Sequence, residues 1–324
     1  MLALTSSMAA DNPRDANLSM CDAPLGHQTL QANDLRLPAA AIWLNATHIQ
    51  WPQGAGRGTP ASALPWRLLA SRKGTLQIQV GQQAIGHDQS WPLQGNDDVR
   101  ELSGLSNAEL RRLHASQLVL VQEDSEGRVQ HATRIQAAKA LDTLFAPASL
   151  NASLGATITQ QPRKHATDQT TFAIWAPTAL KVSVCLYPQA RGKANGKLDL
   201  QRDDVSGVWS STTQKAPQGS YYRYAVEVFV PQVGRVINHV NDPYAVSLSA
   251  NSQRSYVADL NAAHLKPANW DTHTSPSSVK HAVDMRIYEL HVRDFSIQDK
   301  TVPVSMRGKY LALTQKQSQG MPHL

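Results

Sequence analysis

Aromatic residues are scarce in this sequence: Phe, Trp and Tyr make up 6% of 324 residues, and phenylalanine occurs four times. Cysteine is scarcer. Cys21 and Cys185 lie far apart, match no metal or redox spacing, and say almost nothing about compartment. No apolar run approaches the roughly 20 residues of a membrane span, which excludes a spanning helix. The formal charge of +6 has no matching cluster of cations, since Arg111-Arg112 is the densest helical pair. A nucleic-acid partner would need a basic face, so none is expected. What is present is 41% hydrophobic residues in a chain long enough for two or three domains.

The start, "MLALTSSMAADN", has the small residues of a signal-peptide end but neither a basic leader nor an apolar core. "LSMC" (18–21) hints at a lipoprotein cysteine, but bulky Met20 beside the thiol argues for a solvated leader. Residues 1–35 are rich in turn formers and are expected to be irregular. The sequence assigns no compartment.

Order is expected from residue 36 to 150. "AIWLNATHIQWP" (41–52) alternates around a turn at Asn45-Ala46-Thr47, and "TLQIQV" (75–80) puts Leu76, Ile78 and Val80 on one face of a strand. "GAGRGTP" (54–60) resembles a phosphate loop, but Pro60 stands where a helix should begin and no Lys-Ser/Thr pair follows. Ser106 and Glu109 have capping-box spacing, so a helix should start there. "LVLVQEDSEGRVQHATRIQ" (118–136) predicts two strands around Gly127, and Ala137, Leu141, Leu144 and Phe145 form one helical face.

Residues 151–168 read as a linker, and 169–265 as the clearest β-module. In "KVSVCLY" (181–187), Val182, Val184 and Leu186 should face a core, leaving Ser183, Cys185 and Tyr187 outward. "GKANGKL" (192–198) is one residue short of a nucleotide loop, and Asn195-Gly196 reads better as a tight hairpin turn. In "SYYRYAVEVFV" (220–230), Tyr222, Tyr224, Val226, Val228 and Val230 share a face, and "SYVADL" (255–260) is a last strand. The pattern predicts an antiparallel β-sandwich, with Trp175 and Trp209 in its core or rim. Residues 266–281 are a second linker, and 282–324 open with "IYELHVRDFS" (287–296), which alternates like a strand.

"FAIWAPTALKVSVCLY" (172–187), "GSYYRYAVEV" (219–228), "NDPYAVSLSANSQRSYVADL" (241–260) and "IYELHVRDFS" (287–296) resemble, in order and spacing, bacterial pullulanases of glycoside hydrolase family 13. "AIWLNATHIQWP" and "KALDTLFA" (139–146) are similar to the β-rich domain upstream in those enzymes. The resemblance implies a mainly β chain: two β-sandwich-like domains in tandem, the second a carbohydrate-binding module of family 48, then the first strand of a truncated (β/α)8 barrel. In that strand Glu289, His291 and Arg293 would point into the barrel while Tyr288, Leu290 and Val292 pack outward.

The resemblance also implies hydrolysis of α-1,6 bonds in pullulan, starch or glycogen by two carboxyl groups. Glu289 and Asp294 cannot be that pair if they share a strand. Five residues would separate them by about 16 Å, on opposite faces, whereas retaining carboxylates sit about 5–5.5 Å apart. The family draws its catalytic groups from later barrel strands and this chain stops at Leu324, so no catalytic residue is assigned and no turnover is expected. Three readings remain: the front portion of a debranching enzyme, an α-glucan-binding module using outward Tyr187 and Tyr221, or domains that brace a catalytic barrel. His264, His273 and His281 have no ligand spacing and no loop specifies calcium, so neither metal nor cofactor is expected; the expected state is a monomer.

Overall fold

The computed structural model describes residues 18–52, 64–95, 97–160, 168–274 and 279–323. The phosphate-loop lookalike at 54–60 lies outside the described residues. The chain divides into a unit ending at Leu265 and a unit beginning at Lys266.

In the first unit, strand β1 (Gly26–Ala32) precedes an N-terminal module. That module contains β2 (Ala41–Trp43), β3 (His48–Gln50), β4 (Trp66–Ser71), β5 (Gln89–Leu93), β6 (Val99–Glu101) and helix α1 (Asn107–Leu113). It continues through β7 (Gln117–Glu123), β8 (Val129–Thr133), β9 (Ile135–Gln136) and helix α2 (Ala138–Ser149). Its sheets have the orders β6-β3-β2-β9 and β5-β4-β7-β8. The β2–β3 turn forms as predicted, with Asn45 Oδ1 accepting the amides of Thr47 and His48, each at 3.0 Å.

The capping box is also present: the Glu109 amide donates to Ser106 Oγ at 3.3 Å, and Glu109 Oε2 accepts the Ser106 amide at 2.8 Å. Leu110 and Leu113 of α1 meet Leu144 and Phe145 of α2 in one core with Trp43, Trp51 and Trp66. The segment 75–80 is not a strand. Gln77 exchanges hydrogen bonds with Ile85, but the Gly81 amide turns to the Val129 carbonyl, so no ladder extends and Val80 is left 67% exposed.

The sandwich follows with β10 (Gly155–Thr159), β11 (Gln169–Trp175), β12 (Lys181–Tyr187), β13 (Gly196–Asp199), β14 (Gln201–Arg202), β15 (Val208–Thr213), β16 (Tyr221–Val230), β17 (Gly234–Val240) and β18 (Ser255–Tyr256). Its six-stranded sheet runs β1-β17-β16-β12-β13 with β18 also on β16, and faces the four-stranded sheet β10-β11-β15-β14. Phe172, Val182, Val184, Leu186, Trp209, Tyr222 and Tyr224 fill the space between, on the faces that alternation assigned. Trp175 instead leans on the core of the N-terminal module.

Three expectations are corrected here. The leader 1–35 contains a strand, because β1 adds to β17 and satisfies an edge that would otherwise be open. Gly234, at φ +111°, permits this approach, since a Cβ there would overlap the Gln31 carbonyl. The linker 151–168 contains β10, which pairs with β11 from Gly155 opposite Ala173 to Thr159 opposite Gln169. Asn195-Gly196 is not the hairpin turn: Gly196 already pairs with Leu186, so the chain reverses before it.

The second unit has no described β-strand and no barrel element. Helix α3 (Val292–Ser296) and short 3-10 turns, among them Tyr310–Thr314 and Met321–His323, make up its regular structure. The predicted strand 287–296 is therefore corrected to an irregular run entering α3, without the inward and outward faces expected of Tyr288 to Arg293. No described strand offers it hydrogen-bond partners, and a lone parallel strand has nothing to hold its backbone groups. Ile287 is 84% exposed. Beyond it, the chain is irregular or in single turns, gathered around buried Ser296, whose Oγ accepts the Gly308 amide at 2.9 Å.

Candidate functional site

Alternation along β12 does turn Cys185 and Tyr187 away from the sandwich core, but that outer face is not open. The turn Met20–Asp22 covers it, and Cys21 forms a disulfide with Cys185 at a Cα–Cα distance of 5.5 Å. The side chain of Cys21, expected on a solvated leader, is fully buried. Tyr187 is 1% exposed, and its hydroxyl donates to the Cys21 carbonyl.

Arg254 stands 3.6 Å from the Tyr187 ring centroid. Arg223 donates from Nε to the Tyr187 oxygen at 3.2 Å and from Nη1 to the Ala23 carbonyl at 3.1 Å. Burial pushes the phenol's pKa up, opposed by the Arg223 and Arg254 charges. The expected exposure of Tyr187 is thus not met: one ring face holds a guanidinium, and the covering segment excludes solvent. Its role here is to bind the N-terminal segment to the sheet.

Tyr221 is half-buried beside this cluster and meets Tyr256 edge-on, with ring centroids 5.0 Å apart. The two predicted sugar-facing tyrosines therefore do not form one flat platform. Tyr256 leads instead to a cleft of about 620 Å³ between β10 and the segment that follows β17. The segment is built on Asp242 of "NDPYA", which is buried. Its carboxylate accepts the Tyr222 hydroxyl at 2.7 Å and the Tyr244 amide at 2.8 Å, while its own amide donates to Ser255 Oγ at 2.9 Å.

Burial pushes the Asp242 carboxyl upward, and the hydrogen bonds from Tyr222 and Tyr244 oppose that shift. Burial and the neighbouring Asp242 charge push the Tyr222 hydroxyl far above its ordinary value, so it stays a neutral donor. Gly155, at φ +97°, lets β10 pass close to this segment: an added Cβ would lie 3.2 Å from the Tyr244 carbonyl. Tyr244 remains 38% exposed at the cleft.

This anchoring was not foreseen from the sequence. The Asx turn at Asp242-Pro243-Tyr244 is the local signal; the long-range partners Tyr222 and Ser255 have none. Among the described residues no group of three or more His, Cys, Asp or Glu side chains could hold a metal.

Residues 153–245 match the family model for carbohydrate-binding module 48, the isoamylase N-terminal domain, and residues 97–143 match the pullulanase N2 domain. Over 222 residues, 67% of this chain and 20% of the relative, it is 41% identical to a pullulanase of Klebsiella pneumoniae. The chain is 38% identical over 218 residues to chloroplastic pullulanase 1 of Arabidopsis thaliana, covering 67% of this chain and 22% of that one. The crystal structure of apo pullulanase from Klebsiella pneumoniae superposes with a TM-score of 0.72 and 33% identity, over 89% of this chain and 31% of that one.

The chain carries the N-terminal domains of the pullulanase family.

It spans about a fifth of the length of the curated pullulanases it matches. The module 48 match begins before β10 and takes in Tyr187, Tyr221, Asp242 and Tyr244, while Tyr256 and the far wall of the cleft lie beyond its end. In this pullulanase-type chain the covered outer face and the open cleft adjoin one another, since Tyr187 pairs with Tyr221 and Tyr221 with the cleft residue Tyr256. No described helix is long and apolar enough to cross a membrane.

Proposed function

We propose that this chain is the front portion of a starch-debranching enzyme acting on α-1,6-glucosidic bonds, and that its β-sandwich binds α-glucan while the chain itself performs no hydrolysis. The observation that carries the reading is the family 48 carbohydrate-binding module, with an aromatic-edged cleft at one end of it.

The placement of the two carboxyl groups weighed in the sequence supports the absence of turnover. Glu289 lies exposed before α3, and Asp294 sits within α3, engaged by Arg293 Nη1 at 3.0 Å and His291 Nδ1 at 3.3 Å. A retaining glycosidase faces two carboxyl groups across the sugar, about 5–5.5 Å apart, in a closed pocket. Neither residue is presented in that manner. Electrophoresis of the full chain in gels containing pullulan or glycogen tests the binding part: retardation is expected, and unchanged mobility would remove it. Release of maltotriose from pullulan by the purified chain would overturn the claim of inactivity.

A second reading, that both modules serve as braces for a catalytic domain, draws on the covered state of Tyr187. It requires unretarded migration in both gels.

A further inference from the structure

We propose that the cleft between β10 and the segment 242–261 is the α-glucan subsite of this module, with Tyr244 as the stacking ring, and that the covered face around Tyr187 is not. This rests on the reading of the sandwich as a glucan-binding module and goes on to say where the sugar sits.

The cleft's size is the first support: about 620 Å³ falls within the range of roughly 300–1,000 Å³ that small-molecule sites occupy, enough for a short oligosaccharide. Its chemistry is the second. Tyr244 and Tyr256 line it together with Thr157, Gln160, Asp259 and Asn261. A glucosyl ring has an apolar C–H face and a rim of hydroxyls, and so calls for a flat aromatic surface beside hydrogen-bonding groups. Asp259 is the one charged side chain in the lining, and it disfavours anionic ligands while accepting from hydroxyls.

The third support is that the walls are held before any ligand arrives. The Asp242 carboxylate fixes Tyr244 from behind through its backbone amide. The Tyr256 amide donates to the Ser247 carbonyl at 2.9 Å, the Val257 amide donates to the Ser220 carbonyl at 2.9 Å, and Gly155 allows the close approach of β10. A site already ordered loses less entropy on binding. Around Tyr187 the same groups are consumed internally: its hydroxyl, Arg223 and Arg254 all bond within the protein.

Titration of the full chain with maltotriose, followed by calorimetry, tests the assignment alongside glycogen-gel electrophoresis. Tyr244→Ala and Asn261→Ala should each weaken binding, the tyrosine change by roughly thirtyfold, as for truncation of a hot-spot aromatic. Tyr244→Trp should restore it, which a merely structural loss would not allow. Val205→Ala, at an exposed site away from the cleft, should bind as the parent does, and unchanged circular dichroism excludes unfolding. If the parent and the Tyr244→Ala and Asn261→Ala variants bind equally, the cleft assignment falls while glucan binding stands. If the parent neither binds maltotriose nor is retarded in glycogen, both fall.

Discussion

Strand β16 and the stretch Ile287–Ser296 look alike in sequence, each alternating apolar and polar residues, yet they end in opposite situations. β16 is paired by β12 from Tyr221 to Glu227, by β17 from Tyr224 to Val230 and by β18 at Tyr221 and Tyr222, and buries Tyr222 and Tyr224 completely. The second stretch pairs with no described strand, leaves Ile287 and Tyr288 exposed, and closes into the short helix α3. Period-two alternation says which side chains share a face; it does not say that a partner exists to cover that face.

The largest effect should come from the cover over the outer face of β12. The disulfide closes a loop across a sequence separation of 164, and the chain-entropy relation gives about 5 kcal/mol for that length. Guanidinium unfolding of the parent with and without dithiothreitol, beside a Cys21→Ser, Cys185→Ser variant, measures it. Reductant should lower the parent's midpoint to that of the variant, and a parent indifferent to reductant would argue that the cover needs no tether.

Within the sandwich, Tyr222→Ala should cost about 4 kcal/mol, the range for truncating a large buried ring. The loss combines a cavity beside Phe172, whose ring centroid is 4.8 Å away, with an Asp242 carboxylate deprived of its donor. Tyr222→Phe separates the two contributions by removing the hydroxyl alone. A Tyr222→Ala variant as stable as the parent would mean that β16 does not organise this core.

Most of the core was legible because it follows local rules. The faces of β12 and β16, the capping box at Ser106 and the helical face ending at Phe145 each need only a few neighbouring residues to specify them. What was not legible depends on distant partners. Nothing near Cys21 names Cys185, and nothing in Gly26–Ala32 announces β17, since a polar edge strand shows no inward stripe. Tyr187 was read correctly as pointing away from the core and wrongly as exposed, because its cover comes from the far end of the sequence. The cleft was missed for the same reason: Asp242 looks like a turn residue until Tyr222 and Ser255 are brought against it.

The N-terminal module supplies a contrast in pH response. His114 is buried against Trp43, its Nε2 has no hydrogen-bond partner among the described residues, and burial lowers its pKa to about 4. The unfolded imidazole takes a proton near 6.5 and the folded one only near 4, so between those values the unfolded chain holds the extra proton. This contribution to stability is complete above about pH 6.5 and is lost as pH falls toward 4, amounting to about 3 kcal/mol in all. Urea midpoints at pH 7 and pH 4.5, read by tryptophan fluorescence, should separate less in His114→Gln than in the parent. Equal separation would assign the acid sensitivity to other groups.

The smallest effect is expected where alternation found no partner. Ile287→Ser removes an apolar side chain that is 84% exposed, so it withdraws almost nothing from a core and should change stability by less than about 0.5 kcal/mol. A Tyr288→Ser change should behave in the same way. Limited trypsin digestion reads the backbone: Arg286 lies in the exposed run and should be cut early, whereas Arg223, held by Tyr187 and Ala23, should persist until the sandwich unfolds. Protection at Arg286 together with a large loss in Ile287→Ser would mean that the stretch has found a neighbouring strand or a covering surface, and its likeness to β16 would then extend from sequence to structure.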